Sequence, residues 1–157
     1  MKAVIQFVIC LAVPLCVAGF SSYLTAPYME MDWFMNLVKP SFYPPVIAFP
    51  VVWTILYTMM GISLFMVVRQ PMSSDRTNGI LVFGMQLFLN FWWSIFFFRF
   101  QRPDVAFGEM LLLWLTILWM IVTFRKVKPV AAYLQIPYLL WVSFASVLDG
   151  ALWYLNR

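Results

Sequence analysis

The third long apolar segment of this sequence carries two amide side chains among apolar and aromatic residues. Gln86, Asn90, Trp93 and Phe97 follow one another at intervals of three or four residues. On a helix that turns by about 100° per residue, they fall within about 60° of one another. Polar groups in such a helix mark either hydrogen-bonded contacts between helices or a binding site. Both interpretations remain open for this stripe.

Two further apolar segments present aromatic side chains on one helical face. The second segment holds Trp53, Tyr57, Met60 and Leu64, and the fifth holds Trp141, Ala145, Leu148, Asp149 and Leu152. At about 1.5 Å of rise per residue, Trp53, Asn90, Trp93 and Leu148 lie roughly 9–15 Å below the same end of the helices. Aromatic walls beside a small residue suit a flat, apolar, polycyclic ligand.

Two carboxylates fall inside the apolar segments. Asp149 stands well inside the fifth segment, where it could relay protons or contact a ligand, stay neutral, or pair with Arg99 or Lys39 near the surface. These alternatives remain open. Glu109 follows the start of the fourth segment by about one turn, and we expect it to reach the membrane interface.

The residue types exclude several kinds of chemistry. The chain has no histidine, so a zinc, haem-imidazole or copper site of the usual kind is not expected, and neither is a nucleophile–histidine–acid set. No glycine-rich phosphate loop is present. Cys10 and Cys16 are six residues apart in one apolar segment and fit small packing residues. We therefore expect no metal and no required cofactor.

Composition identifies the elements that must position these residues. The chain has 157 residues, of which 64% are hydrophobic and 10% charged, so it cannot cover its apolar surface in water. Apolar runs of about 20 residues predict membrane-spanning helices, because the alternating pattern of a barrel is absent. We predict an all-α membrane protein, a bundle of five transmembrane helices forming one domain over residues 1–157. The predicted helices are 3–24, 44–68, 78–98, 105–124 and 130–155, with a lid-like loop at 27–43.

Positive charges follow the turns between these helices. With five spans, the side of the N-terminus holds Lys2, Arg69, Arg76, Arg125, Lys126 and Lys128, and the other side holds Lys39, Arg99, Arg102 and Arg157. The bias of six to four favours an N-terminus inside and the lid-like loop outside. The pI of about 9.3 is explained by these turns, so no nucleic-acid partner is expected.

Four runs of residues, in order along the chain, resemble one known family. They extend from Trp33 to Pro45, from Phe49 to Gly61, from Gln86 to Phe97 and from Pro137 to Leu148. The sequence resembles the TspO/MBR family of tryptophan-rich sensory proteins. That family includes the mitochondrial translocator protein, or peripheral benzodiazepine receptor.

The resemblance implies a fold, ligands and site residues. It implies a five-helix bundle, often a homodimer, that binds protoporphyrin IX, haem, sterols, and isoquinoline- or benzodiazepine-type ligands beneath the first loop. The ligand-binding positions that it implies are Pro44, Trp53, Asn90, Trp93, Ser94, Trp141, Ala145 and Leu148. The lid residues that it implies are Trp33, Phe34, Lys39 and Pro40. Trp53 and Trp141 would be catalytic if the protein degrades protoporphyrin in light.

The sequence departs from the family pattern at a few positions. Phe34 stands where tyrosine is usual, Phe42 where tryptophan is common, and Asp149 where asparagine is frequent, which affects the expected ligand preference. The functions expected from the resemblance are a porphyrin-binding sensor or regulator, light-dependent porphyrin breakdown, transport of porphyrins or other small apolar molecules, or a partner-binding bundle. A bacterial cell membrane is the expected location.

Overall fold

The computed structural model describes all residues, 1–157, and every regular element in it is helical. Five helical stretches are long and apolar enough to cross a membrane: Lys2–Met29, Ala48–Val68, Ser74–Arg99, Pro103–Val127 and Pro129–Leu155. The predicted bundle of five transmembrane helices is confirmed, and the chain is a multi-pass integral membrane protein.

Several of these stretches are divided into smaller elements. In chain order the helices are α1 Lys2–Met29, α2 Asp32–Met35, α3 Ala48–Val68, α4 Ser74–Ser94, α5 Pro103–Val127, α6 Pro129–Tyr133 and α7 Ile136–Leu155. A π-helical segment, Ile95–Arg99, continues α4. We call residues 30–47, which contain α2 and join α1 to α3, the lid segment.

Local sequence explains where several helices begin. The Ser73 hydroxyl accepts a hydrogen bond from the backbone N–H of Arg76 at 3.1 Å and so caps α4. Proline lies in the first turn of α5, α6 and α7, where its missing N–H leaves no bond unmade. The fifth span is divided into α6 and α7, and Pro137 lies at the start of α7.

Four predicted helix ends were wrong by three to five residues. The third helix begins at Ser74 and not at residue 78, and the fourth ends at Val127 and not at residue 124. The first helix continues beyond residue 24 to Met29, with Pro27 inside its last turn. The second helix begins at Ala48 and not at residue 44. Because Pro45 disfavours helical geometry at the preceding residue, Pro44 remains in the lid segment. A turn follows, in which the Ala48 N–H donates to the Pro45 carbonyl oxygen at 2.9 Å.

The five spans form a ring. Helix α1 packs on α3, α3 on α6, α6 and α7 on α5, α5 on α4, and α4 back on α1. The α1–α3 contact is close at Gly61, where an added Cβ would lie 2.7 Å from the Leu11 Cα. The largest buried cluster includes Met60, Met110, Ile117, Met120 and Phe124. The side chains of α3, α4 and α7 meet inside this ring.

Candidate ligand-binding site

A chain of hydrogen bonds joins α3, α4 and α7 inside the ring. The Tyr57 hydroxyl donates to Asn90 Oδ1. Asn90 Nδ2 lies 2.9 Å from the Tyr138 hydroxyl and donates to it, and that hydroxyl donates to Gln86 Oε1 at 2.9 Å. All four side chains are buried. Both amides of the predicted stripe therefore make contacts between helices.

Trp53 lies beside this polar chain. Its ring centre is 5.5 Å from that of Tyr57, with the planes tilted by 31°. It is 6.2 Å from Tyr138 in an edge-to-face arrangement. Trp53 and Asn90 therefore contact the same two tyrosines.

Trp93 is held by a carboxylate of α7. Its indole Nε1–H donates to Asp149 Oδ2 at 3.2 Å, and its ring stacks on Phe97 at 5.7 Å. Asp149 therefore does not pair with Arg99 or Lys39, an alternative that the sequence had left open. The sole salt bridge in the structure joins Arg102 to Asp104.

Trp141 lines a groove between α3 and α7. The groove has a volume of about 410 Å³. Its walls are Val52, Ile55, Leu56, Pro137, Leu140, Trp141 and Phe144. The Trp141 Nε1–H is buried and has no hydrogen-bond partner. Phe49 meets the Trp141 ring edge to face at 6.0 Å. Trp141 thus combines a side chain that lines an apolar groove with a buried N–H donor that has no partner.

The lid segment packs its aromatic residues on the end of the bundle. Trp33 contacts the Phe97 ring at 5.9 Å, and Phe34 contacts Phe98 at 5.3 Å. The Lys39 ammonium lies 5.3 Å from the ring centre of Phe34 and 5.8 Å from that of Tyr43. Burial raises the pKa of Tyr43 above its usual value. These contacts close the segment over α4.

Three further hydrogen bonds fix the lid segment. Inside it, the Tyr43 N–H donates to the Pro40 carbonyl oxygen at 3.0 Å and forms a turn. The other two bonds join the lid segment to the residue that follows α7. The Val38 N–H donates to Asn156 Oδ1 at 2.8 Å, and Asn156 Nδ2 donates to the Val38 carbonyl oxygen at 3.0 Å. The residue after α7 therefore clamps the lid segment from the far end of the chain.

The remaining predicted positions have varied surroundings. Leu148 is buried in the aromatic cluster beneath the lid segment, and Ala145 and Pro44 are half-buried. The Ser94 hydroxyl hydrogen bonds with Ser21 on α1, so it contributes to the α1–α4 contact. Glu109 was expected at the interface, but it is only 7% exposed and neither carboxyl oxygen has a hydrogen-bond partner. The Glu109 prediction was wrong because α5 turns this side chain towards α4 and α7.

Three residues of the site were missed by the sequence analysis. Tyr138 lies three residues before Trp141, so helical spacing could have placed it on the same face. Phe49 precedes Trp53 by one turn and could have been found in the same way. Asn156 gave no signal, because a single asparagine after the last helix fits an ordinary helix end.

The chain is thus a multi-pass helical membrane protein in which α3, α4 and α7 carry Trp53, Trp93 and Trp141, and an aromatic lid segment packs on one end of the bundle. It belongs to the TspO/MBR family, whose family model matches residues 10–155. This confirms the family resemblance found in the sequence.

Similar proteins occur in bacteria and animals. The chain is 38% identical over 156 residues to the tryptophan-rich protein TspO of Chlorobaculum tepidum, covering 99% of this chain and 98% of that one. It is 33% identical to the protein CrtK of Rhodobacter capsulatus, covering 79% and 78% of the two chains. It is 29% identical to the translocator protein of Sus scrofa, covering 88% and 83%.

Proposed function

We propose that this protein binds a tetrapyrrole, protoporphyrin IX or haem, and acts as a membrane sensor or regulator of it. The observation that carries the proposal is the buried Trp141 Nε1–H, which has no partner and belongs to a residue lining the apolar groove. A buried donor without a partner costs about 1–3 kcal/mol. A carboxylate or another acceptor on a bound tetrapyrrole would remove that cost.

The groove is apolar and has the volume of a small-molecule site. Its volume of about 410 Å³ lies in the range of roughly 300–1,000 Å³ that is usual for small-molecule sites. Ile55 and Leu140 on its rim are 54% and 64% exposed, so the groove opens at the outer surface of the bundle. An apolar ligand dissolved in the bilayer would enter there and stack on Trp141.

The same groove would also accept other flat, apolar ligands. Isoquinoline- or benzodiazepine-type molecules and sterols are flat and apolar, and they would use the same walls. We further propose a homodimer in a bacterial cell membrane with the N-terminus inside. Transport of small apolar molecules is the alternative function, supported by the groove that opens towards lipid and by the name of the translocator protein among the relatives.

A pair of tryptophan variants tests the binding proposal. Trp141→Phe keeps an aromatic ring and removes the N–H donor. Trp119→Phe makes the same change on the exposed face of α5. We expect the dissociation constant for protoporphyrin IX, measured in the dark by porphyrin absorbance, to rise about tenfold for the first variant. We expect it to stay unchanged for the second. Equal affinity of wild type and Trp141→Phe would contradict the proposed site.

Light-dependent porphyrin breakdown is the second candidate function, and the same samples test it. Trp53 and Trp141 would donate electrons to the light-excited porphyrin, with dissolved oxygen as the final oxidant. Illumination should then bleach the porphyrin band faster with wild type than with a Trp53→Phe, Trp141→Phe double variant, compared at equal porphyrin occupancy. Equal bleaching rates would exclude this role for the two tryptophans.

A further inference from the structure

Asp149 occupies an unusual place for a carboxylate. It is only 2% exposed and lies about 9 Å from the C-terminal end of α7. One of its oxygens, Oδ2, accepts the Trp93 indole N–H. The other oxygen, Oδ1, is buried and has no hydrogen-bond partner.

The surroundings of Asp149 provide no positive charge. Its neighbour Leu148 packs with Phe97 and Trp93 in the aromatic cluster beneath the lid segment. Glu109 on α5 is close enough for the two carboxyl groups to interact electrostatically, and both Glu109 oxygens also lack partners. Two neighbouring buried carboxyl groups repel when both are charged, and a nearby cation removes that penalty. An N–H donor would give Asp149 Oδ1 a hydrogen-bond partner, and an ammonium group would also offset the negative charge.

We propose that Asp149 is a specificity-determining residue, which makes the site prefer apolar aromatic ligands that carry an ammonium or N–H donor group. The aromatic part of such a ligand packs against Trp93 and Phe97, and the donor reaches Asp149 Oδ1. The hydrogen bond from Trp93 to Oδ2 holds the carboxylate in place. Asp149 lies outside the groove lined by Trp141 and faces α4 and α5 instead. This inference rests on the proposed function, because it assigns a ligand class to a second region of the bundle that is proposed to bind flat aromatic ligands.

Two probes of nearly equal shape test the inference. Aminomethylpyrene carries an ammonium group, whereas ethylpyrene has the same ring system and no charge. Binding of each to the full-length protein is followed by energy transfer from tryptophan to pyrene, with protein-free detergent micelles as the baseline. We expect wild type to bind aminomethylpyrene about tenfold more tightly than ethylpyrene.

Asp149→Asn separates charge from positioning, because asparagine retains an oxygen that can accept the Trp93 N–H. We expect this variant to lose the preference for the amine while its affinity for ethylpyrene is unchanged. Asp104→Asn, which removes an exposed carboxylate paired with Arg102, should retain the preference. Near-ultraviolet circular dichroism of the tryptophans checks that Asp149→Asn keeps the environment of Trp93.

The outcomes separate this inference from the proposed function. Equal affinity of wild type for the two probes would overturn the role of Asp149 alone. So would an unchanged preference in Asp149→Asn. If neither pyrene nor protoporphyrin IX bound to wild type, the proposed function would fail and this inference with it.

Discussion

The Tyr138 hydroxyl lies between two amide side chains of α4. It accepts from Asn90 Nδ2 and donates to Gln86 Oε1, each at 2.9 Å, and the residue is 1% exposed. In the interior of a membrane protein no water is at hand to replace either bond. This single hydroxyl therefore helps to hold α7 against α4 at the level of the site.

Tyr138→Phe removes that hydroxyl and keeps the ring. We expect the free energy of unfolding to fall by about 1–2 kcal/mol, because two buried hydrogen bonds are lost and both amides keep a polar atom unmatched. Unfolding in mixed detergent, followed by circular dichroism, measures the change. Tyr23→Phe is the matched control, since Tyr23 is 76% exposed and should unfold like wild type. Equal stability of the two variants would mean that the polar chain does not hold the helices together.

Sequence reasoning predicted which residues share a face of one helix but not their partners on other helices. The spacing of Gln86, Asn90 and Trp93 on one helix follows from 3.6-residue periodicity. Periodicity does not say which faces of different helices meet. For that reason the pairing of Trp93 with Asp149 became visible only when α4 and α7 were packed together. The burial of Glu109 was missed for the same reason.

At the scale of elements, the lid segment depends on a contact from the far end of the chain. Asn156 exchanges two hydrogen bonds with the backbone of Val38, and these bonds link residues 118 positions apart. The lid segment also contacts α7 through Phe42, whose ring meets that of Phe144 at 6.4 Å. We expect the two hydrogen bonds of Asn156 to restrain opening of the lid segment around Val38.

Asn156→Ala should loosen the lid segment. Losing about 1 kcal/mol of local stabilisation predicts about fivefold faster hydrogen exchange at the Val38 amide, measured by mass spectrometry of the peptide that contains it. Asn156→Asp keeps the acceptor for that amide and loses the donor, so it should show a smaller increase. Asn36→Ala changes an exposed amide of the same segment and serves as the control. If exchange at Val38 is the same in wild type and Asn156→Ala, the clamp does not restrain the lid.

Helices could be predicted from the sequence better than their ends could. The long apolar runs predicted all five spans, because each run contains the roughly 20 apolar residues that a helix needs to cross the bilayer. The end of α1 was missed because Pro27 suggests a helix stop, yet transmembrane helices tolerate proline when neighbouring groups satisfy the freed backbone. The π-helical segment Ile95–Arg99 has no comparable signature in the residue types.

At the scale of the whole molecule, the site depends on the order of the helices in the ring. Trp53, Asn90 and Trp141 belong to α3, α4 and α7, which are far apart in the chain and meet inside the bundle or at its surface. Composition predicted a bundle but could not give the order of its helices. The family resemblance supplied the expectation that these three positions belong to one site.

Titration of the purified wild-type protein with protoporphyrin IX in the dark tests the central claim most directly. Eight tryptophans report on binding through their fluorescence, and Trp53, Trp93 and Trp141 lie in or beside the proposed site. The account predicts quenching that saturates at a defined ratio of porphyrin to protein. Quenching that rises linearly without saturation would indicate partitioning into detergent and would contradict a tetrapyrrole site.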